Sequence, residues 1–242
     1  MKFLALCLAL LGGCAHAPQA AKPVTAHVEL GIPKLTPPDI SKVLAQLDAE
    51  EHKETSTEDV CEGSKPCVVH VVLNEEVTDD SMKVALEKLE AAHKVKAKAY
   101  VLEINSPGGD VEAGWRLAKS IEAAQIKVVC VVDGEAASMA SYILQSCPVR
   151  EMTKRSVQMY HERAMGAMFQ GQPNQWAAIA AHMEAWRQAD AEHNVHRMKI
   201  SAEEYRKHTD GGQQWWLDWK QAVEVGAVDK VVDSIEAVLK NP

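Results

Sequence analysis

The chain is 242 residues long, carries 26 lysines and arginines against 34 aspartates and glutamates, and has a formal net charge of −8. That balance, with no basic patch interleaved with aromatic residues, excludes recognition of a nucleic-acid backbone. Hydrophobic residues make up 47% of the chain, enough for a packed core, and there is no internal repeat.

Met1 to Leu11 has a basic start at Lys2 and an apolar run too short to remain as a membrane-spanning helix, so residues 1–13 read as a signal peptide. Leu11-Gly12-Gly13-Cys14 is similar to a bacterial lipobox, which makes Cys14 the expected lipidation site. Ala15, rather than an aspartate, follows it. The expected location is therefore the bacterial cell envelope, lipid-anchored at the outer membrane and facing the periplasm. Residues 15–38, with Pro18, Pro23, Pro33, Pro37 and Pro38, form an extended tether. Ile40, Val43, Leu44 and Leu47 could share one side of a short helix, and residues 48–60 are an acidic, solvated linker. Residues 14–60 are thus tether and linker, and residues 61–242 one domain.

In an exported chain the four remaining thiols, Cys61, Cys67, Cys130 and Cys147, allow two disulfides in three pairings. Cys61 and Cys67 bracket a short loop that can fold back. Cys130 precedes Ser138 on a strand and Cys147 follows it on a helix. The two meet if the helix runs back along the strand, and otherwise remain buried free thiols.

Residues 101–104 read as a strand. Asn105 to Gly109 is turn chemistry, with Pro107 fixing one φ angle and Gly108 and Gly109 free to take unusual ones. Asp110 opens an amphipathic helix on Val111, Leu117, Ile121 and Ala124. Residues 127–132 form a second buried strand. Gly134 to Ala137 then lead to Ser138, at the start of a helix over 139–144, where free amides favour developing negative charge. Residues 156–160 alternate as a strand and deliver His161. Glycine-turn amides, a serine at a helix start and a strand-end histidine are the parts of an acyl-transfer site: oxyanion donors, nucleophile and base. A long helix over about 173–199 carries His182, His193 and His196 without completing a metal site, so no metal or cofactor is expected. Trp176, Trp186, Trp215, Trp216 and Trp219 read as packing or subunit contacts.

The stretches Ile104–Gly109, Gly134–Ala140, Met159–His161 and Ala222–Asp229 resemble the proteolytic subunit of the Clp protease, within the Clp/crotonase superfamily, from about Val68 to Ile235. The resemblance implies an α/β fold of repeated ββα units and a serine peptidase. It makes Ser138 the nucleophile, His161 the base, and the amides of Gly109 and Met139 the oxyanion hole. The family's acid falls at Gln214, which carries no charge. Anchoring instead on the helix 201–209 makes Asp210 the candidate acid. The long helix joins rings in these relatives, which implies a homo-oligomer. Peptides or unfolded proteins are the expected substrates, with no ATPase partner in a compartment without ATP. Asn74–Asp80 is also similar to signal peptide peptidase A, a Ser-Lys relative, which offers Lys154 as an alternative base. Gln214 also motivates a second reading, an inactive peptide-binding lipoprotein. A third is a crotonase-type acyl-CoA enzyme, and export to a compartment lacking CoA counts against it.

Overall fold

The computed structural model describes residues 67–163 and 172–242. The signal peptide, Cys14, the tether, the helix expected over 39–47, the acidic linker and Cys61 lie outside the described residues, and with Cys61 the Cys61–Cys67 pairing.

Strands and helices alternate. β1 (Val68–Leu73) leads to helix α1 (Asp79–Lys94), β2 (Ala99–Ser106) to α2 (Val111–Glu122), and β3 (Val128–Ala137) to α3 (Met139–Ser146). β4 (Val149–Thr153) and β5 (Val157–His161) follow, then α4 (Pro173–Val195), α5 (Ala202–Thr209), β6 (Gln214–Asp218), α6 (Trp219–Val225), β7 (Lys230–Val232) and α7 (Ile235–Lys240). The expected α/β architecture is present, built on a sheet ordered β1-β2-β3-β4-β7 whose neighbours are all parallel. Such strands need helices on both faces, so their sequences are apolar without alternation. Tyr100, Leu102, Ile104, Val128, Cys130 and Val132 pack with Met82, Leu89, Leu117, Ile121, Ile143 and Leu144 from helices α1 to α3. The intervening Ala99, Val101, Val129 and Val131 form a smaller cluster with Val232 of β7 and Ile235 and Val238 of α7.

The sheet forks at β3. Its first half, Val129–Val132, pairs with β4, while Glu135–Ala137 pair with β5. The Ser156 hydroxyl sits in the fork, donating to the Val132 carbonyl and accepting from the Gly134 amide, at 2.8 and 3.0 Å. β6 then adds antiparallel to β5, with His161 opposite Gln214. This branch carries the histidine.

A disulfide joins Cys130 of β3 to Cys147 just beyond α3, with the two Cα atoms 6.0 Å apart. Both residues are fully buried, and the bridge closes the strand–elbow–helix unit around Ser138. Beneath it, Arg150 is 2% exposed and donates to both carboxylate oxygens of Asp229 and, at 2.5 Å, to Gln145 Oε1. Burial alone would raise the Asp229 pKa, but the hydrogen bonds and charge of Arg150, with the charge of Arg197, hold it below the usual carboxylate range.

Candidate active site

Ser138 stands between β3 and α3 at φ 55° and ψ −118°, a left-handed position unusual for a residue other than glycine. Its amide donates to the Met159 carbonyl of β5 at 2.8 Å, and the buried Ser141 hydroxyl ties the first turn of α3 to the Ala136 carbonyl at 2.6 Å. Ser138 makes no side-chain capping bond to α3. Its Oγ is instead 2.7 Å from His161 Nε2.

The turn after β2 presses against this elbow. A β-carbon on Gly108 (φ 90°) would stand 2.6 Å from the Ala137 carbonyl oxygen and 2.8 Å from the Met139 nitrogen, so only glycine fits. Gly109 forms a parallel bridge with Val77. Met139 is the first residue of α3, where an amide has no partner within its own helix. The two expected oxyanion donors thus flank the Gly108–Ser138 contact.

The second nitrogen of His161 has a neutral partner. Nδ1 is 2.5 Å from the carbonyl oxygen of Glu162. A carbonyl can only accept, so Nδ1 carries the proton and Nε2 offers a lone pair to the Ser138 hydroxyl. Asp210 is not brought to the ring. It caps the end of α5, and its carboxylate faces the guanidinium of Arg206 at 3.5 Å and that of Arg187 at 3.9 Å. Two neighbouring cations explain this orientation. Gln214 is the cross-strand neighbour of His161, as the family spacing implies, and its Oε1 accepts from Trp216 Nε1 at 3.2 Å. Lys154, the alternative base, pairs with Asp233 at 3.6 Å on an exposed turn.

Sequence reasoning missed the two residues after the histidine and their partners. Glu162 accepts from Arg187 at 2.6 Å and from the amides of Gly211 and Gly212 at 3.1 and 3.2 Å. Arg163 makes a two-pronged pair with Asp190, at 2.7–3.1 Å, and its guanidinium lies over the rings of Trp115 and Trp186. Arg187 and Asp190 are three residues apart on α4, hence on one helix face. That spacing, with opposite charges at 162 and 163, is the signal the sequence held.

A cavity opens beside Ser138, lined by Trp115, Met139, Tyr142, Arg163, Asp190 and Asn194. Burial, with the nearby charges of Asp190 and Glu122, pushes the Tyr142 hydroxyl up to about 12, and burial raises Tyr160 and Tyr205 as well. All three stay neutral at physiological pH; the Tyr160 hydroxyl donates to Gln158 at 2.8 Å and accepts from Gln145, and that of Tyr205 accepts from Asn194 at 3.0 Å. His193 stacks on Tyr142 with centroids 3.6 Å apart, and His182 packs against Trp186. Among the described residues no cluster of histidine, cysteine and carboxylate side chains could hold a metal ion.

A strained serine whose hydroxyl meets an imidazole of fixed tautomer, beside a glycine turn and a helix start, can transfer an acyl group. A family model described as Clp protease matches residues 67–235. The chain is similar to the ATP-dependent Clp protease proteolytic subunit 1 of Protochlamydia amoebophila (strain UWE25), 31% identical over 144 residues, which cover 58% of this chain and 68% of that one. The protein of the same name from Chlamydia trachomatis serovar D is 29% identical over 168 residues, 68% of this chain and 86% of its own. That from Chlamydia abortus is 29% identical over 189 residues, 77% and 97% of the two chains. The match spans the elbow, the strand-end histidine and the sheet that carries both: this chain belongs to the Clp protease family and is a serine peptidase.

Proposed function

We propose that the chain hydrolyses peptide bonds through an acyl-enzyme on Ser138, with His161 as general base, while tethered to the bacterial cell envelope by a lipid on Cys14. The observation that carries the chemistry is the 2.7 Å contact between Ser138 Oγ and His161 Nε2, made with the imidazole proton held at Nδ1. As Oγ bonds to the peptide carbonyl carbon, Nε2 takes the hydroxyl proton. The negative charge on the carbonyl oxygen is met by the amides of Gly109 and Met139. His161 then gives its proton to the leaving amine, and water, deprotonated by the same nitrogen, releases the acyl group. The substrates are peptides or unfolded segments, presented to a homo-oligomer without an ATPase. The tether rests on Leu11 to Cys14 and the proline-containing stretch after them.

Covalent labelling with a fluorophosphonate, followed by mapping of the modified residue, tests the site. Modification at Ser138, lost in Ser138→Ala, is the expected result. A folded chain that is not labelled would leave peptide binding without hydrolysis. For the tether, mass spectrometry of the mature protein is expected to find acyl chains on Cys14, and an unmodified cysteine would overturn that part of the reading.

A further inference from the structure

We propose that Glu162 is the positioning residue for His161, its main-chain carbonyl standing where a carboxylate would otherwise hold the ring. The inference rests on the assignment of Ser138 and His161 as nucleophile and base. Three observations carry it. The carbonyl oxygen of Glu162 is the partner of His161 Nδ1, at 2.5 Å. The carboxylate that could have taken that place, Asp210, is turned to Arg206 and Arg187, and the residue opposite His161 across the β5–β6 pair is the uncharged Gln214.

The third observation concerns what fixes the carbonyl. A main-chain carbonyl at a strand end is free to rotate with its peptide plane, so it can orient a histidine only if its own residue is anchored. Glu162 is held by three donors. Arg187 Nη1 reaches one carboxylate oxygen at 2.6 Å, and the consecutive amides of Gly211 and Gly212 reach the other. Both glycines have positive φ, 75° and 78°, and successive amides in such a turn form a concavity suited to an anion. The clamp has a second rung, because Arg163, the next residue, is held by Asp190 one turn along the same helix as Arg187. Helix α4 and the α5–β6 turn therefore grip the two residues after the histidine.

A neutral carbonyl fixes the tautomer as a carboxylate does, but it meets the imidazolium formed during attack with a dipole rather than a full charge. Catalysis then depends more on ring placement, and ring placement on the clamp. Asp210 contributes only indirectly, through the two arginines.

The test uses the full chain and compares wild type with Glu162→Ala and Glu162→Gln. Three quantities are read: the fluorophosphonate labelling rate at Ser138, kcat and KM on one peptide, and the proton resonance of His161 Nδ1. Glu162→Ala is expected to lower the labelling rate and kcat by about ten-fold or more, since small misplacements of catalytic groups cost factors of this size. KM should stay within about two-fold of wild type, and the Nδ1 resonance should broaden or vanish. Glu162→Gln keeps an acceptor for the glycine amides and should recover most of the loss. If Glu162→Ala does not fold, Arg187→Gln reads the same three quantities with the same expected direction. Undiminished labelling with an intact Nδ1 resonance, in whichever of these variants is read, overturns the proposal for Glu162 alone. Absence of labelling at Ser138 in wild type overturns the Ser138–His161 assignment and this inference with it.

Discussion

Ser138 pays for its position in backbone strain. A non-glycine residue at such a φ,ψ costs of order 1–3 kcal/mol and persists only where its surroundings fix it; here the Met159 carbonyl and the first turn of α3 do so. Ser138→Gly should therefore be at least as stable as Ser138→Ala toward thermal unfolding, with labelling absent from both. An alanine variant clearly more stable than the glycine variant would contradict the strain argument. Ser138 and His161 are legible in the sequence because each sits at the end of an apolar strand, with the order and spacing of a known family. The third position is not. Asp210 lies four residues before Gln214 and Asp218 four after it, so distance along the chain does not choose between them. Asp210 faces Arg206 of its own helix and Arg187 of α4, and the second of these is a tertiary contact that spacing does not give. Asp210→Asn and Gln214→Ala are accordingly both expected to change kcat by no more than a few-fold. Where a buried aspartate bonds the catalytic histidine of a serine protease directly, the equivalent change costs about 10⁴-fold. A loss near that size here would restore Asp210 to the site.

At the scale of elements, the strand–elbow–helix unit is legible in kind, but its expected extent is too short. The strand expected to stop at 132 runs on to Ala137, because Asp133-Gly134 resembles turn chemistry yet marks only the place where β3 exchanges β4 for β5. Periodicity says nothing about such a change of neighbour. The helix expected to reach 199 ends at Val195, and Ser201 caps the next one. β6 escapes a reading from sequence because Gln214-Trp215-Trp216-Leu217-Asp218 has two exposed ends and a single well-buried residue, Leu217, between them. Two predictions belong to this unit. Gly108→Ala should abolish labelling of Ser138, since the added β-carbon meets backbone atoms of the elbow that cannot move aside. Wild-type labelling in that variant would mean that the turn does not abut the elbow. Replacing Cys130 and Cys147 together by alanine removes a cross-link between residues 17 apart. Chain-entropy reasoning for a loop of this length gives a loss of about 3 kcal/mol. Urea unfolding would show it, and an unchanged midpoint would indicate that the bridge does not constrain the unfolded chain.

For the molecule as a whole, stability depends on pH through groups that include the partly buried His193 and the more exposed Asp229, and the two act with the same sign. His193 of α4 lies against α3, with Nε2 3.1 Å from the Tyr142 carbonyl and the ring stacked on Tyr142, while Glu122 of α2 is 3.8 Å from Nδ1. Burial lowers its pKa from 6.5, with His196 adding to the effect and the Tyr142 carbonyl, Glu122 and Asp190 opposing it. The unfolded chain therefore takes up this proton first as pH falls. The contribution of His193 is complete above about pH 6.5, declines as the unfolded histidine becomes charged, and levels off below its folded-state value. Asp229, held low by Arg150 and Arg197, contributes above about pH 4 and is lost as the pH falls through its folded value. Stability measured by urea unfolding should thus fall in two acid steps, the first beginning near about pH 6.5 and the second below about pH 4. His193→Gln should lower stability at neutral pH by removing the stack on Tyr142, yet flatten the first step. Asp229→Asn should leave the first step intact and shrink the second, of which Glu90, Glu204 and Glu236, held low by Lys94, Lys207 and Ser234, keep a part. If the decline from about pH 6.5 to about pH 5 is as steep in His193→Gln as in wild type, the proton taken up there belongs to another group, and the contact joining α4 to the helix behind Ser138 is not what acid loosens.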